Sequence, residues 1–400
     1  MFQEFIISKD LSIDKFLNDL KCDFYLTKPQ LKNLQTILTG MITNGYNGKI
    51  SQISESSFSH RTSIGRFLSN SSWDENLITT SMKRNVINTM IERSEKSKEP
   101  VYFIIDDTIS KKTKPSSQAK NPIENCKYAY SHLEGKTVYG HQIIVSLLSC
   151  NGLTLPYSVD VYDKETMSKI KLAKSLINAL SKKLNKLIVL ADSWYSSKAI
   201  FDATISNERN NYVGAIKTNR VLYPKNHSKL GIKASMFAKT LPLDSFDLVT
   251  VRKKDYYVYK YVGNLRDRKN ITIVLSYPVD SFYEKSTLKA FISLDPNLSI
   301  SDILNHYNLR WDIEPFFREC NAKLGLNGYQ VRKTKAIKRY LLIMLLNYTY
   351  CKLKSKFLNH FNVGFKKVKN ELEKERVQTI FNATKNGVSL TEILKLLKIA

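Results

Sequence analysis

Cysteine is scarce in this sequence, and its five copies are scattered along the chain without a CxxC pair. This spacing excludes a cysteine-based zinc cluster and a disulfide framework, so we expect reduced thiols. Long apolar runs are also missing, because no stretch approaches the roughly 18 apolar residues of a membrane-spanning helix. The first residues, MFQEFIISKDLSIDKF, place charges inside an apolar pattern, unlike a signal peptide. We therefore expect a cytoplasmic protein without a membrane partner.

Acidic residues are outnumbered, with 36 Asp and Glu against 62 Lys and Arg, which gives a formal net charge of +26. Because 42% of the residues are hydrophobic, the chain can bury a core and is not a disordered basic tail. A positive field of this size predicts a polyanionic partner. The length of 400 residues is enough for more than one core.

Five segments differ in their hydrophobic pattern. Apolar residues recur every three to four positions in 1–97, which predicts an all-α N-terminal domain. Segment 98–211 reads as three strands, a helix, a strand and a helix, the order of an α/β protein with a mixed sheet and flanking helices. Short β-like pieces without a long helix between them predict a β-rich insertion at 212–296. Helical spacing returns in 297–355 and continues in a C-terminal helical segment, 356–400.

A possible DNA-reading motif lies in the first segment. Residues 49–68, KISQISESSFSHRTSIGRFL, suggest a helix, a turn and a second helix that carries Arg61 and Arg66. This order is typical of a helix-turn-helix. An ordinary bundle of basic helices fits the same pattern, so both interpretations stay open.

Acidic residues follow two of the predicted strands. Asp106 and Asp107 end the apolar run VYFII, and Asp192 ends LIVLA. Because functional groups gather at the carboxyl ends of strands in open α/β sheets, these acids are candidates for catalysis. The alternative is that each acid caps a turn or the next helix. Alternation of side chains along a strand makes Asp106 and Asp107 exclusive for one face.

A third acid lies in the helical stretch RWDIEPFF. Tyr307, Arg310 and Glu314 are spaced three and four residues apart, which predicts one shared helical face. The apolar neighbours argue against a fully exposed face. Pro315 disfavours α geometry at Glu314, so we expect the helix to start late or to kink there. The alternative is an ordinary solvated helix charge.

Three carboxylates without histidine or cysteine ligands predict a site for a hard cation, Mg²⁺ or Mn²⁺. Two such ions can activate a water or a sugar hydroxyl and stabilise the leaving oxygen of a phosphodiester. The basic stretches 110–114, 251–254 and 331–339, the last of which includes Arg332, would then hold the DNA backbone. Each stretch taken alone fits an ordinary solvated surface.

Two aromatic residues, Trp194 and Tyr195, directly follow Asp192. Aromatic rings near a cleavage site can stack on an unpaired base, and core packing is the alternative for both. His141 precedes a predicted strand and could approach the acids, but a hydrogen-bonded structural histidine is the preferred interpretation.

The stretches FIIDDT, IVLADSWYSS and YNLRWDIEPFFRE, followed by LGLNGYQVRKTKAIKRYL, resemble the DDE transposases of bacterial insertion sequences, in the IS4-like group. The resemblance spans roughly residues 100–350. In that group the third acid lies in a signature of Tyr, two residues, Arg, three residues, Glu, six residues and Lys. Tyr307, Arg310 and Glu314 match it, whereas Asn321 stands at the lysine position and Lys323 follows two residues later.

This resemblance implies an RNase H-like core in which Asp106, Asp192 and Glu314 hold two Mg²⁺ or Mn²⁺ ions. Asp106 is preferred over Asp107 because the family pattern is Asp, any residue, then Thr or Ser, and Thr108 fits that pattern. The long gap between the second and third acids agrees with an insertion of strands.

The resemblance also implies metal-dependent cleavage and transfer of DNA strands in cut-and-paste transposition. The implied partners are double-stranded DNA, as terminal inverted repeats and as target, and a second copy of the chain in a homodimer on DNA in the bacterial nucleoid. The signature lysine contacts a phosphate in the family, so Lys323 joins Tyr307 and Arg310 as a candidate DNA-binding residue.

Two other functions stay open at this point. A DNA-binding protein derived from a transposase, with lost or reduced catalysis, would keep the charge and the helices. A glycosidase with paired carboxylates would also place acids at strand ends, but it would gain nothing from the net charge of +26.

Overall fold

The computed structural model describes residues 12–42, 45–57, 59–131, 134–224, 230–355 and 360–396. The chain divides into two compact units that are each built from separate stretches. The first unit comprises the described parts of Met1–Thr89, Asp107–Asp163 and Glu314–Ala400, and the second comprises those of Met90–Asp106 and Lys164–Ile313. These units differ from the five predicted segments, whose status as domains stays a prediction.

The described residues form fourteen α-helices, numbered in chain order: α1 (Ile13–Asp19), α2 (Cys22–Tyr25), α3 (Lys28–Met41), α4 (Ile50–Glu55), α5 (Arg61–Ser69), α6 (Glu75–Ser97), α7 (Lys169–Ser181), α8 (Lys198–Thr204), α9 (Ala234–Thr240), α10 (Ile300–Leu309), α11 (Ile313–Lys323), α12 (Thr334–Lys354), α13 (Phe361–Lys385) and α14 (Leu390–Leu396). Short 3₁₀ turns occupy Leu243–Ser245, Val279–Ser281 and Arg310–Asp312. None of these helices is long and apolar enough to cross a membrane.

The same residues form twelve strands: β1 (Val101–Lys111), β2 (Lys127–Ser131), β3 (Lys136–Cys150), β4 (Leu153–Val161), β5 (Leu187–Ala191), β6 (Asn211–Ile216), β7 (Val221–Tyr223), β8 (Ile232–Lys233), β9 (Asp247–Val251), β10 (Lys254–Leu265), β11 (Arg268–Pro278) and β12 (Lys289–Ser293). The predicted mixture of helices and strands is therefore confirmed. The sequence does not predict strands β2, β7 and β8 or helix α9, because each has only two to seven residues, too few for a clear hydrophobic period.

Helix α12 forms the centre of the first unit. Nearly every residue from Ala336 to Lys352 is buried, as expected for a helix that is apolar on all sides. Helices α3, α5 and α13 and strand β4 pack against it. In the same unit, β3 pairs in antiparallel fashion with β2 on one side and with β4 over its second half.

The second unit is built on a sheet with the strand order β1-β5-β6-β12-β11-β10-β7-β8, and β9 pairs with β10. Strands β1, β5 and β6 are parallel, whereas β6, β12, β11 and β10 pair in antiparallel fashion. Helices α7, α8 and α10 pack on the parallel strands. The strands of the predicted insertion therefore extend the sheet that carries β5, because β6 hydrogen-bonds directly to it.

Candidate active site and basic surfaces

Asp106 lies within β1, one residue past its last pairing with β5, and Asp192 directly follows β5. The register pairs Ile105 of β1 with Ala191 of β5, and each acid is the next residue in its chain segment. The apolar runs VYFII and LIVLA are buried, whereas both acids are half-buried. Both acids therefore lie where the parallel pairing of β1 with β5 stops. The prediction that Asp106 ends its strand is wrong, because β1 continues to Lys111, whereas Asp192 does follow the end of β5.

Arg310 places a positive charge beside the first acid. Its guanidinium donates a hydrogen bond to Asp106 Oδ2 at 3.1 Å, although the residue is only 7% exposed. Burial by itself lowers the pKa of Arg310, but Tyr307, Asp106 and Asp192 outweigh burial and raise this pKa above its usual value. The side chain therefore stays charged, and its Nε is buried without a hydrogen-bond partner among the described residues.

Tyr307 and Trp311 hold the guanidinium of Arg310 between aromatic rings. The guanidinium carbon lies 5.4 Å from the Tyr307 ring centre and 4.9 Å from the Trp311 ring centre. Tyr307 in turn packs on Phe291, with the ring centres 4.7 Å apart. Burial raises the pKa of Tyr307, against the opposing effect of Arg310, so its hydroxyl is protonated at neutral pH.

Asp192 makes the local hydrogen bonds that the alternative interpretation expects. Its Oδ1 accepts from the backbone N–H of Trp194 at 2.9 Å and from that of Tyr195 at 3.4 Å. This turn separates the two aromatic residues, because Tyr195 is buried in the core and Trp194 is 46% exposed. Lys169 Nζ lies 4.8 Å from the Trp194 ring centre. Tyr195 is therefore a packing residue, and Trp194 stays a candidate for base stacking.

Asp107 has a partner of its own within the first unit. Gln142 Nε2 donates to Asp107 Oδ2 at 2.6 Å, whereas Asp106 accepts from Arg310 within the second unit. The side chains of the two adjacent acids thus bind different partners, which agrees with the alternation of side chains expected along a strand.

Glu314 lies in the first turn of α11 and is exposed. The expected single helical face of Tyr307, Arg310 and Glu314 is wrong, because α10 ends at Leu309 and a 3₁₀ turn at Arg310–Asp312 precedes α11. The expected late start of the helix is confirmed, since Pro315 stands in its first turn, where a missing N–H removes no helical hydrogen bond.

No group of three or more His, Cys, Asp or Glu side chains in the described ranges has a geometry that could hold a metal ion. The shared metal site of Asp106, Asp192 and Glu314 therefore stays a prediction. Asp106 and Asp192 belong to the second unit, and Glu314 belongs to the first.

The predicted helix-turn-helix has its two helices in place as α4 and α5, and part of the turn, Phe58, lies outside the described residues. Arg61 and Arg66 are exposed on α5, and Ile64, Phe67 and Leu68 are buried beneath it. The secondary structure of the motif is therefore as predicted, while its contact with DNA stays a prediction.

Arg339 of α12 forms hydrogen bonds with the C-terminal end of α5. This fully buried guanidinium donates to the carbonyl oxygens of Phe67 at 3.0 Å and Leu68 at 3.2 Å, and pairs with Glu75 at 2.9 Å. It also lies 4.1 Å from the Trp73 ring centre. The sequence analysis placed Arg339 in a basic DNA-binding stretch, which is wrong for this residue because it is 0% exposed.

Other residues of that stretch remain at the surface. Arg332 is exposed and donates to the carbonyl oxygen of Asn121 at 2.7 Å. Lys333 Nζ donates to Asn70 Oδ1, at the end of α5, at 3.4 Å. Lys323 is half-buried with its Nζ 4.8 Å from the Phe365 ring centre, so much of its stem is used in packing.

His141 is a structural residue of the first unit, as the sequence analysis interpreted it. Its Nε2 lies 2.7 Å from the carbonyl oxygen of Glu124, and its Nδ1 lies 2.7 Å from the hydroxyl of Tyr329. A carbonyl only accepts, so Nε2 carries the proton and Nδ1 accepts from Tyr329. Burial lowers the pKa of His141, which keeps the ring neutral at neutral pH.

Two buried parallel strands, each with a carboxylate directly after its last paired residue and a charged arginine beside one of them, define an α/β protein with an acidic site. The family described as "Transposase DDE domain" matches residues 97–350, more than half of the sequence, and the chain belongs to this family. The match includes all three predicted acids. Its activity is therefore that of a transposase.

One solved structure with similarity to the chain is the cryo-EM structure of a piggyBac transposase synaptic complex with hairpin DNA. The similarity covers 91% of this chain and 76% of that chain, at 12% sequence identity and a TM-score of 0.48. At this level it carries no inference about fold or function. No curated protein matches the sequence at a significant level.

Proposed function

We propose that the protein cleaves DNA strands at the ends of a mobile element and joins them to target DNA, with Asp106, Asp192 and Glu314 as its catalytic acids. The observation that carries this proposal is the parallel register of β1 and β5, because Asp106 and Asp192 directly follow the last two residues that these buried strands pair. Glu314 is assigned through the signature that it shares with Tyr307 and Arg310. An IS4-like bacterial element, an RNase H-like core and a homodimer on DNA belong to the same proposal.

Asp106, Asp192 and Glu314 would hold two Mg²⁺ or Mn²⁺ ions, because carboxylate oxygens are the ligands that these hard cations prefer. When bound, such ions supply the activation of a water or sugar hydroxyl and the stabilisation of the leaving oxygen. The strands β1 and β5 supply rigid positions for two of the carboxylates, since both strands are buried up to the acids.

Arg310 is proposed to bind a phosphate next to the cleaved bond. Its charge is secured by the neighbouring acids and Tyr307, and the buried Nε has no partner among the described residues. A planar, charged guanidinium suits a phosphate oxygen. The aromatic rings of Tyr307 and Trp311 restrict the orientation of the Arg310 guanidinium. This restriction lowers the conformational entropy that the side chain loses when it binds a phosphate.

Recognition of double-stranded DNA is assigned to exposed cationic residues of both units. Arg61 and Arg66 of α5 and Arg332 before α12 are the candidates in the first unit. Lys323 is a weaker candidate than its place near the signature suggests, because its stem packs on Phe365. Trp194, next to Asp192, remains the candidate for stacking on a base near the cut.

The experiment is cleavage of a labelled duplex that carries the end sequence of the element, with Mg²⁺ or Mn²⁺ added. Asp106→Asn and Glu314→Gln should each abolish strand cleavage and largely spare binding to the duplex, because the shape is kept while a carboxylate ligand is lost. Asp107→Asn is the matched control for Asp106, and Glu373→Gln, an exposed acid of α13, is the control for Glu314. Both controls should cleave normally.

The outcome separates the alternative functions. A folded wild-type protein that binds the duplex but never cleaves it would favour a DNA-binding protein with lost catalysis, which the exposed Asn321 at the signature lysine position would help to explain. Full cleavage by a folded Glu314→Gln variant would remove Glu314 from the mechanism. Hydrolysis of glycosides without cleavage of DNA would support the carboxylate-pair hydrolase instead.

A further inference from the structure

Strand β2 exposes two tyrosines on one face. Tyr128 is 60% exposed and Tyr130 is 56% exposed, although both belong to a strand that pairs with β3. Residues two positions apart on a strand point to the same side, and their spacing is about 6.8 Å. Single exposed apolar residues are ordinary, but two aromatic rings side by side on an edge strand form a small patch that needs a purpose.

The ring of Tyr128 is fixed by its neighbours. Tyr139 of β3 stands directly opposite Tyr128 in the register, and the two rings meet edge to face with their centres 5.3 Å apart. Lys114 Nζ lies 5.9 Å from the Tyr128 ring centre. A ring that is already oriented loses little freedom on stacking with a ligand. The patch is therefore preorganised for a flat partner.

The surroundings of this patch are cationic. Residues 110–140 contain six lysines and two glutamates, a net charge of +4. Glu134 pairs with Lys111 at 3.0 Å, and Lys127 pairs with Asp163 at 2.8 Å, whereas Glu124 accepts from the backbone N–H of Thr334. The positive excess is carried at the surface by residues such as Lys114 and Lys120, which are exposed. A partner with flat rings and negative charge is complementary to this surface.

The segment before β2 is tied to the start of α12. The backbone N–H of Thr334 donates to Glu124 at 2.6 Å, and Arg332 donates to the carbonyl oxygen of Asn121 at 2.7 Å. The next residue, Lys333, contacts Asn70 at the end of α5. Within the first unit, the residues before α12 therefore contact both the segment that leads into β2 and the end of α5, the candidate DNA-reading helix.

We propose that the β2–β3 hairpin binds unpaired nucleotides of the DNA, with bases stacked on Tyr128 and Tyr130 and phosphates held by nearby lysines. The spacing of about 6.8 Å is twice the 3.4 Å rise per nucleotide of a stacked strand, so the two rings can contact one base from both sides. Every base has a flat face, so this contact is independent of sequence. The inference rests on the proposed function only in taking DNA as the substrate.

The experiment measures the affinity of the full chain for a short single-stranded oligonucleotide by fluorescence anisotropy. The double variant Tyr128→Ala/Tyr130→Ala should lose about 10- to 100-fold in affinity, because stacking on each ring is lost. The variant Tyr128→Phe/Tyr130→Phe keeps the rings and should bind as the wild type does. Phe381→Ala removes an aromatic residue of α13 that is 66% exposed, and it is the matched control that should have no effect.

Two further readouts separate the possible outcomes. Lys114→Ala should lower the salt slope for single strands by about 0.7, as expected for one lost phosphate contact. Equal single-strand affinity of the wild type and the double alanine variant overturns the inference, and so does loss of self-association without loss of affinity, which would make the patch a contact between copies. Cleavage of a fully paired duplex by the double variant tests the proposed function separately, since that activity depends on the acids.

Discussion

Arg310 and Asp106 meet across 204 residues of sequence, and no local pattern contains that contact. The acids themselves could be predicted, because an apolar run followed by Asp is visible in the sequence at Asp106 and Asp192, although β1 continues past Asp106 to Lys111. The pairing of Asp106 with Arg310 could not, since it depends on the strand register and on the 3₁₀ turn at Arg310–Asp312. The hydrogen bonds of Asp192 are local, and the sequence already offered them as the alternative interpretation. The assignment of Tyr195 was open for the same reason, because only the turn at Asp192 directs that ring into the core.

Replacement of Arg310 by alanine should weaken engagement of the DNA and lower strand cleavage. The change removes a phosphate donor and leaves Asp106 without its cation, and the buried pair is expected to be worth about 1–3 kcal/mol of folding free energy. Arg310→Lys should restore charge but not the planar fork between Tyr307 and Trp311, so we expect only partial recovery of affinity. Binding titrations with end duplex, together with urea unfolding, measure both effects. Wild-type affinity in a folded Arg310→Ala variant would contradict the role.

The β9–β10 hairpin has an unusual backbone conformation in its loop. Its two loop residues, Arg252 and Lys253, both have positive φ, 50° and 66°. A two-residue loop with positive φ at both positions is the pattern of a type I′ turn, which favours Asn-Gly and disfavours long side chains. Arg252 also reaches the carbonyl oxygen of Asn308, at 3.4 Å, two residues before Arg310. Conformational strain kept at a basic turn favours the prediction that these charges bind DNA.

The double substitution Arg252→Asn/Lys253→Gly should therefore stabilise the fold and weaken DNA binding. The substitutions place residues that tolerate positive φ at two positions with a left-handed backbone. They are therefore expected to raise the free energy of unfolding by about 1–2 kcal/mol. Loss of two phosphate contacts would lower the slope of log affinity against log salt by about 1.8 for duplex DNA. Thermal unfolding and salt titrations check the two halves. Asn270→Gly, at another residue of positive φ, is the control that should leave DNA affinity unchanged.

At the scale of elements, the sequence predicts strands well where β-branched and aromatic residues form runs, as in β10 and β11. It misses β2 because the stretch KYAYS is short and polar, although tertiary pairing with β3 makes it a strand. It also divides the chain into successive segments, whereas the structure builds each unit from stretches that are distant in the sequence. Side-chain packing between distant helices, such as α12 with α3 and α5, is what the local pattern lacks.

For the whole molecule, acid should reduce stability through His141. Burial places the folded-state pKa of His141 below its usual value, so the unfolded chain binds the extra proton first as pH falls. Stability from this residue is complete above about pH 6.5 and declines as pH falls from there toward the folded-state pKa, by at most about 1.4 kcal/mol per pH unit. Protonation removes the acceptor that Tyr329 uses, and the nearby Lys112 adds repulsion.

Urea unfolding of wild type and His141→Gln between pH 7 and pH 5 measures this dependence. The variant should be less stable at pH 7 and should show a shallower loss on acidification. His306, whose pKa is also lowered by burial, remains in both proteins and contributes the same slope to each. Identical slopes for the two proteins would show that His141 does not carry the acid sensitivity.

The buried Arg339 also imposes an order on biosynthesis. A ribosome produces α5 long before α12, and α5 lacks the guanidinium that binds its terminal carbonyls until α12 has been made. All three acids precede α12 in the chain, so a molecule whose α5 is properly seated already contains the residues proposed for cleavage. Products that stop before Thr334 should fail to shift end DNA in a native gel. Incomplete chains would then not compete with finished ones for the ends of the element.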